Sequence, residues 1–104
     1  MIYLASPYSH PDPAVRQARF VAVCGRAAEL MREGLNVFSP IAHSHPLVEH
    51  GAPTDWESWK RVDMEMIGFC SHLYVLRIDG WQESVGVQAE IAEAERLGKK
   101  VLFV

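Results

Sequence analysis

Two acidic residues stand where helices should be apolar. In Ser84-Val85-Gly86-Val87-Gln88-Ala89-Glu90-Ile91 the apolar residues recur at helical spacing. A helix advances about 100° per residue, so Val87, Ile91, Ala94 and Leu97 share one side. Glu90 falls inside that arc. A carboxylate on a buried face costs free energy unless it is paired or used. Its place in the first two helical turns favours negative charge, so an ionised Glu90 in a sheltered cleft would serve as nucleophile or base. Asp63 repeats the anomaly on the preceding helix, four residues after Trp59 and four before Ile67, on the side marked by Val62, Met66 and Cys70. Two carboxylates in one cleft can have their pKa values pushed apart, giving an acid and a nucleophile. The plainer expectations are a Glu90 head group reaching water and an Asp63 capping the backbone N–H groups of a nearby loop.

Cleavage at an anomeric carbon suits such a pair. An oxocarbenium-like transition state needs a carboxylate beside C1′ and a proton source for the leaving group. Ser84 and Gly86 begin the Glu90 helix, where backbone N–H groups can hold a phosphate or hydroxyl oxygen. Gly86 would let a sugar approach the backbone closely, and Ser84 is also an ordinary N-cap. Tyr8 could hydrogen-bond a carboxylate or stack on a base. Of Trp56, Trp59 and Trp81, the last is best placed to line a pocket or a subunit contact. His43 and His45, with His50 nearby, lack the spacing of a metal site; a contact to substrate or a turn suits them better. Dinucleotide, P-loop and nucleophile-elbow motifs are absent.

The elements that must position these residues are short and regular. Ile2-Tyr3-Leu4-Ala5 reads as a buried strand. Asp12 and Pro13 read as N-cap and first turn of a helix reaching about Glu33, stopped by Gly34. Leu35–Phe38 is a second strand, and Ser39–Pro53 reads as a long loop with three histidines. Thr54-Asp55-Trp56-Glu57 has the form of a capping box with Thr54 as N-cap, opening a helix to about Phe69. His72–Arg77, the Ser84–Leu97 helix and Lys99–Val104 complete a βαβαβαβ order. That order predicts an α/β, three-layer Rossmann or flavodoxin-like domain over residues 1–104. Its parallel sheet of about four strands, in the order 2-1-3-4, would be flanked by helices. Ligands in such sheets bind beyond the carboxyl ends of the strands, where strand order reverses.

With 104 residues the chain suffices for one domain. Hydrophobic residues make up 49% and charged residues 22%, ordinary for a globular protein. A net charge of −3 without a basic run argues against binding a nucleic-acid polymer. No stretch has the ~20 apolar residues of a membrane span, and the N-terminus has no signal-peptide pattern. Cys24 and Cys70, both on apolar helix faces, read as thiols in a reducing cytoplasm.

Three segments carry a resemblance. Ile2-Tyr3-Leu4-Ala5-Ser6-Pro7-Tyr8 resembles the opening strand and loop of the nucleoside 2-deoxyribosyltransferase-like proteins. Asp63 with the apolar helix end and strand after it is similar to a second segment. Ser84-x-Gly86-x-x-x-Glu90-x-x-x-Ala94-x-x-Leu97-Gly98-Lys99 is similar to the catalytic helix of that superfamily, departing from it at Ser84 and at Ile91-Ala92-Glu93. The start SPYSHPD and Gly80-Trp81-x-x-Ser84-x-Gly86 look like a bacterial and phage subgroup of uncharacterised members. The resemblance implies an N-glycosidase or deoxyribosyltransferase acting on a nucleoside or its 5′-monophosphate. Glu90 would be the nucleophile, Asp63 would orient substrate and manage the proton, and Tyr8 would position the Glu90 carboxylate. Ser84 and Gly86 would hold the 5′ end, with Ser6, Pro7, His43, His45 and Trp81 as further substrate contacts. No metal or organic cofactor is implied, and a homodimer or larger homo-oligomer is expected. The alternative is a non-catalytic nucleotide-binding or sensing module on the same fold.

Overall fold

The chain reaches its first strand at the second residue. The computed structural model describes residues 1–104. Its elements are β1 (Ile2–Ala5), α1 (Pro13–Arg32), β2 (Val37–Phe38), α2 (Pro40–Val48), α3 (Trp56–Phe69), β3 (His72–Val75), α4 (Val85–Arg96) and β4 (Lys100–Phe103). The four strands form one all-parallel sheet in the order β2-β1-β3-β4. This is the order expected of the βαβ pattern. Ile2 is in register with Val37 on one side and His72 on the other, and Val75 with Phe103.

Every residue of β1 is buried, as a central strand covered on both faces requires. Alternation along the strands then divides the core. Leu4 and Leu76 face Val23, Leu30 and Ile41 of α1 and α2. Tyr3, Ala5, Leu73 and Val75 face Ile67, Val87 and Ala94 of α3 and α4. The helices carrying Asp63 and Glu90 therefore share one face of the sheet. The outer edge of β4 leaves Leu102 and Phe103 exposed.

Asp12 caps α1 by accepting a 2.9 Å hydrogen bond from the Ala14 N–H, and Gly34 (φ 92°) follows its C-cap in the left-handed region. Two expectations fail locally. The Ser39–Pro53 segment is not all loop, because its first part folds as α2. Ser39 Oγ accepts from the Ala42 N–H at 3.1 Å and Pro40 takes the first turn, a favourable start that outweighs Pro46 within the helix. The cap of α3 is Asp55 rather than Thr54, with its carboxylate accepting from the Ser58 N–H at 3.2 Å. Asp55 also takes the Ser58 hydroxyl at 2.8 Å. A carboxylate meets the helix N-terminus with full charge, so the start shifts by one residue.

The carboxyl end of α3 is closed by a side chain from elsewhere. Lys99, just past α4, donates Nζ–H groups to the carbonyls of Ile67 and Gly68, both at 2.8 Å, and of Cys70. At this helix end the Ile67 carbonyl otherwise takes only the Cys70 N–H, at 3.1 Å, and the ammonium meets the negative end of the helix dipole. The Gly-Lys pair after α4 is thus a clamp between α3 and α4. Lys99→Met will lower unfolding free energy by about 2 kcal/mol, read as a drop in urea midpoint. An unchanged midpoint would show that water replaces the clamp.

Candidate active site

The strand order reverses between β1 and β3, and a cavity of about 350 Å³ opens beyond their carboxyl ends. That volume is at the small end of ligand pockets. Glu90, Asp63, Ser6, Ser84 and Gly86 line it together with Trp56. Both carboxyls are buried: Glu90 is 3% exposed and Asp63 7%. The helical spacing that set them against the apolar grain thus brings both to one cavity, and the Glu90 head group does not reach bulk water.

Tyr3 holds Glu90. Its hydroxyl donates to Glu90 Oε2 from the middle of β1, and its ring has no exposed surface. Tyr8, the residue expected to do this, points elsewhere. Its Oη lies 2.7 Å from His45 Nδ1. His45 Nε2 in turn lies 2.7 Å from Gln17 Oε1, and the ring stacks on Phe20 at 4.4 Å. An amide oxygen only accepts, so Nε2 carries the proton and Tyr8 donates to Nδ1. The reason for the exchange is strand alternation: Tyr3 faces α4, whereas Tyr8 packs on the α1 and α2 side with Leu4 and Val23. Tyr8 still lines the cavity.

Burial dominates the electrostatics. It raises Asp63 from an ordinary 3.8 to about 7, with no hydrogen bond acting to lower it. Asp63 therefore does not cap a loop. Burial raises Glu90 from 4.5 to about 8; the Tyr3 hydrogen bond opposes this and the Asp63 charge adds to it. The N-terminal half of α4 does not keep Glu90 ionised, because desolvation is the larger effect. Tyr3 itself is pushed well above its usual value, first by burial and then by the Glu90 charge. Near neutrality the pair holds at least one proton, so one carboxyl can donate while the other, once ionised, can attack.

Ser84 caps α4, its Oγ accepting from the Val87 N–H at 3.2 Å. At Gly86 the open space faces protein and not sugar: an added Cβ would stand 3.1 Å from Trp56 Cε3. Glycine suits this position because the indole lies close against the first turn of α4. Ser6 Oγ is buried without a hydrogen-bond partner. The other expected contacts lie outside the cavity. Pro7 is fully buried behind it. His43 is exposed, 6.4 Å from the Trp59 ring, His45 is spent on Tyr8 and Gln17, and Trp81 packs on Phe103 at 5.5 Å. Sequence reasoning passed over Tyr3 and Trp56. The signal for Tyr3 was a hydroxyl inside a strand buried on both faces; for Trp56 it was an aromatic at the first helical position beside the expected cleft.

A family model for a domain of unknown function, DUF1937, matches residues 1–104. The chain belongs to the DUF1937 family. No curated protein matches it. In this DUF1937 domain no three His, Cys, Asp or Glu side chains are grouped to hold a metal ion. No helix is long and apolar enough to cross a membrane.

The raised acids couple stability to pH. Between the unfolded values, near 4, and the folded values of about 7 and 8, the folded DUF1937 domain binds more protons than the unfolded chain. Stability therefore falls as pH rises through that window and levels off above it. Glu90→Gln has no proton to lose there. It will gain on wild type by up to about 1.4 kcal/mol per pH unit between about pH 5 and about pH 8. Urea midpoints across that range measure the gain; a pH-independent difference would refute a buried protonated Glu90.

Proposed function

We propose that the DUF1937 domain cleaves the N-glycosidic bond of a nucleoside or its 5′-monophosphate through a covalent glycosyl-Glu90 intermediate. The observation that carries this reading is the buried Glu90 carboxyl, held by a tyrosine hydroxyl in a cavity shared with Asp63. The order of the SPY opening, the Asp63 segment and the Gly86–Glu90 helix supports it.

Binding moves the pair's one proton from Glu90, the weaker acid, to Asp63, and Asp63 passes it to the departing base as the C1′–N bond breaks. An oxygen of ionised Glu90 forms the new bond to C1′. Tyr3 orients Glu90 and stabilises its charge, the role first expected of Tyr8. Water then attacks C1′ with Asp63 as base and gives free sugar and Glu90; a second base in place of water gives transfer. Asp63 near 7 is suited to this exchange because a proton carrier works best near the working pH. Trp56 supplies an apolar wall for the base, and Ser6 and the start of α4 meet the sugar's oxygens. A cytoplasmic enzyme with a small-molecule substrate, assembled as a homo-oligomer through open edges such as β4, fits this reading.

A non-catalytic nucleotide sensor is the second reading, favoured by a Glu90 that burial keeps protonated near neutral pH. Base release decides between them. A panel of deoxynucleosides and their monophosphates, with and without an acceptor base, is expected to yield free base with wild type. Glu90→Ala is expected to lower the rate on the order of 10³-fold or more, and Asp63→Asn by about 10²- to 10⁴-fold. Tyr3→Phe is expected to retain more activity than either. Ligand-induced thermal stabilisation without base release would establish the sensor.

A further inference from the structure

The cavity has a second wall, built by the helix that the histidine-rich segment forms. α2 packs with α1 on one face of the sheet, where Ile41 joins Leu4, Val23 and Leu30. Ile41 and Ser44, three residues apart on one side of that helix, line the cavity from there. Asp63 and Glu90 reach it from α3 and α4, which cover the other face. Ser44 therefore enters from the side opposite the two carboxyls.

Ser44 is 6% exposed, yet the bonds around it pass it by. Ser39 Oγ caps α2, and His45 is held between Tyr8 and Gln17; Ser44 takes part in neither. Other hydroxyls of the cavity are engaged: Tyr8 with His45, Ser9 with the Thr54 carbonyl at 3.1 Å, and Ser84 with the Val87 N–H. The buried Ser6 hydroxyl, just past β1, has no partner and borders the same cavity. Leu4 faces α1 and α2, so strand alternation turns Ser6 toward that side too. Two uncommitted hydroxyls from separate elements thus stand across from Glu90. Each is uncharged, with one proton to give and lone pairs to receive.

We infer that Ser44 and Ser6 hold the water that resolves the glycosyl-enzyme, so that the domain hydrolyses its substrate rather than transferring the sugar to a second base. This rests on the reading of Glu90 as the nucleophile. Glu90 bonded to C1′ covers one face of the sugar, and the incoming nucleophile arrives on the face the base has left. A buried water needs two or more polar partners. A base edge presents several polar atoms side by side, whereas the α2 wall offers one hydroxyl beside Ile41. Ser44 Oγ accepts one O–H of the water, and Ser6 accepts from a sugar hydroxyl and donates to the water oxygen. The water oxygen bonds to C1′ and its other proton passes to Asp63. The bond from C1′ to Glu90 breaks, and its electron pair returns to the carboxylate. The acid pair ends with one proton, as it began. Ser44 gives up no proton and is a positioning residue.

The test compares wild type, Ser44→Ala and Ser44→Thr on the deoxynucleoside or monophosphate that wild type cleaves fastest, with a second free base present as acceptor. Wild type will give mainly free sugar. Ser44→Ala will slow the water step about 30-fold and first-turnover base release by less than about 3-fold. Base will then appear as a burst equal to the enzyme, intact-mass measurement will show the sugar adduct, and the share of transferred nucleoside will rise. Ser44→Thr, which keeps the hydroxyl, will stay close to wild type, with urea midpoints confirming that each variant folds. Three outcomes overturn the water site and leave the role of Glu90 standing: a wild type that mainly transfers, a sugar-to-nucleoside ratio unchanged in Ser44→Ala, or a first turnover slowed as much as the water step. A wild type that releases no base from any member of the panel overturns both readings.

Discussion

The hydrogen bond from Tyr3 to Glu90 joins the centre of the sheet to the helix that covers it. The surrounding packing serves it. A carboxyl 3% exposed is tolerable only with a donor in reach, and a tyrosine hydroxyl in a central strand is available only if that strand is buried early and on both faces. The order β2-β1-β3-β4 places β1 there. Ala5 and Val87, small and buried beside the pair, let α4 settle close enough for the bond to form. A change in that spacing would leave two buried polar groups without partners.

Desolvation sets the character of the site. The dipole of α4 and the tyrosine both favour an ionised Glu90, and burial outweighs them. The cavity therefore holds neutral acid more readily than carboxylate, and the charge needed for attack has to be drawn out by what binds. A developing positive charge at an anomeric carbon does this, as does transfer of a proton from the pair to a leaving base. The same burial that makes Glu90 costly to ionise makes it reactive once ionised.

The architecture was legible because its signals are local and repeated. Short apolar runs alternate with helical periodicity, and a parallel sheet follows. Glu90 and Asp63 were legible for the same reason, each interrupting a pattern that otherwise held. Strand partners were not. Tyr3 and Tyr8 lie five residues apart on either side of a strand end, and only the face each side chain takes decides which meets α4. The helix at Pro40–Val48 was hidden by Pro46 and by histidines that resemble loop composition, although Ser39-Pro40 is a start signal. His45 and Trp81 are aromatic and near the cleft in sequence, yet packing turns both away from it. Gly86 was read as room for a ligand; the occupant of that room, Trp56, comes from a helix thirty residues earlier.

The Lys99 clamp ties the last turn of α3 to the chain leaving α4, at the end of these helices remote from the cavity. At the cavity end they meet through a dispersion contact between the Trp56 indole and Gly86. One end is thus pinned by charge-assisted bonds and the other propped by an aromatic ring. Tied at both ends, the two helices keep one axial register, and the spacing of Asp63 and Glu90, which lie between the ties, is fixed by the same two attachments.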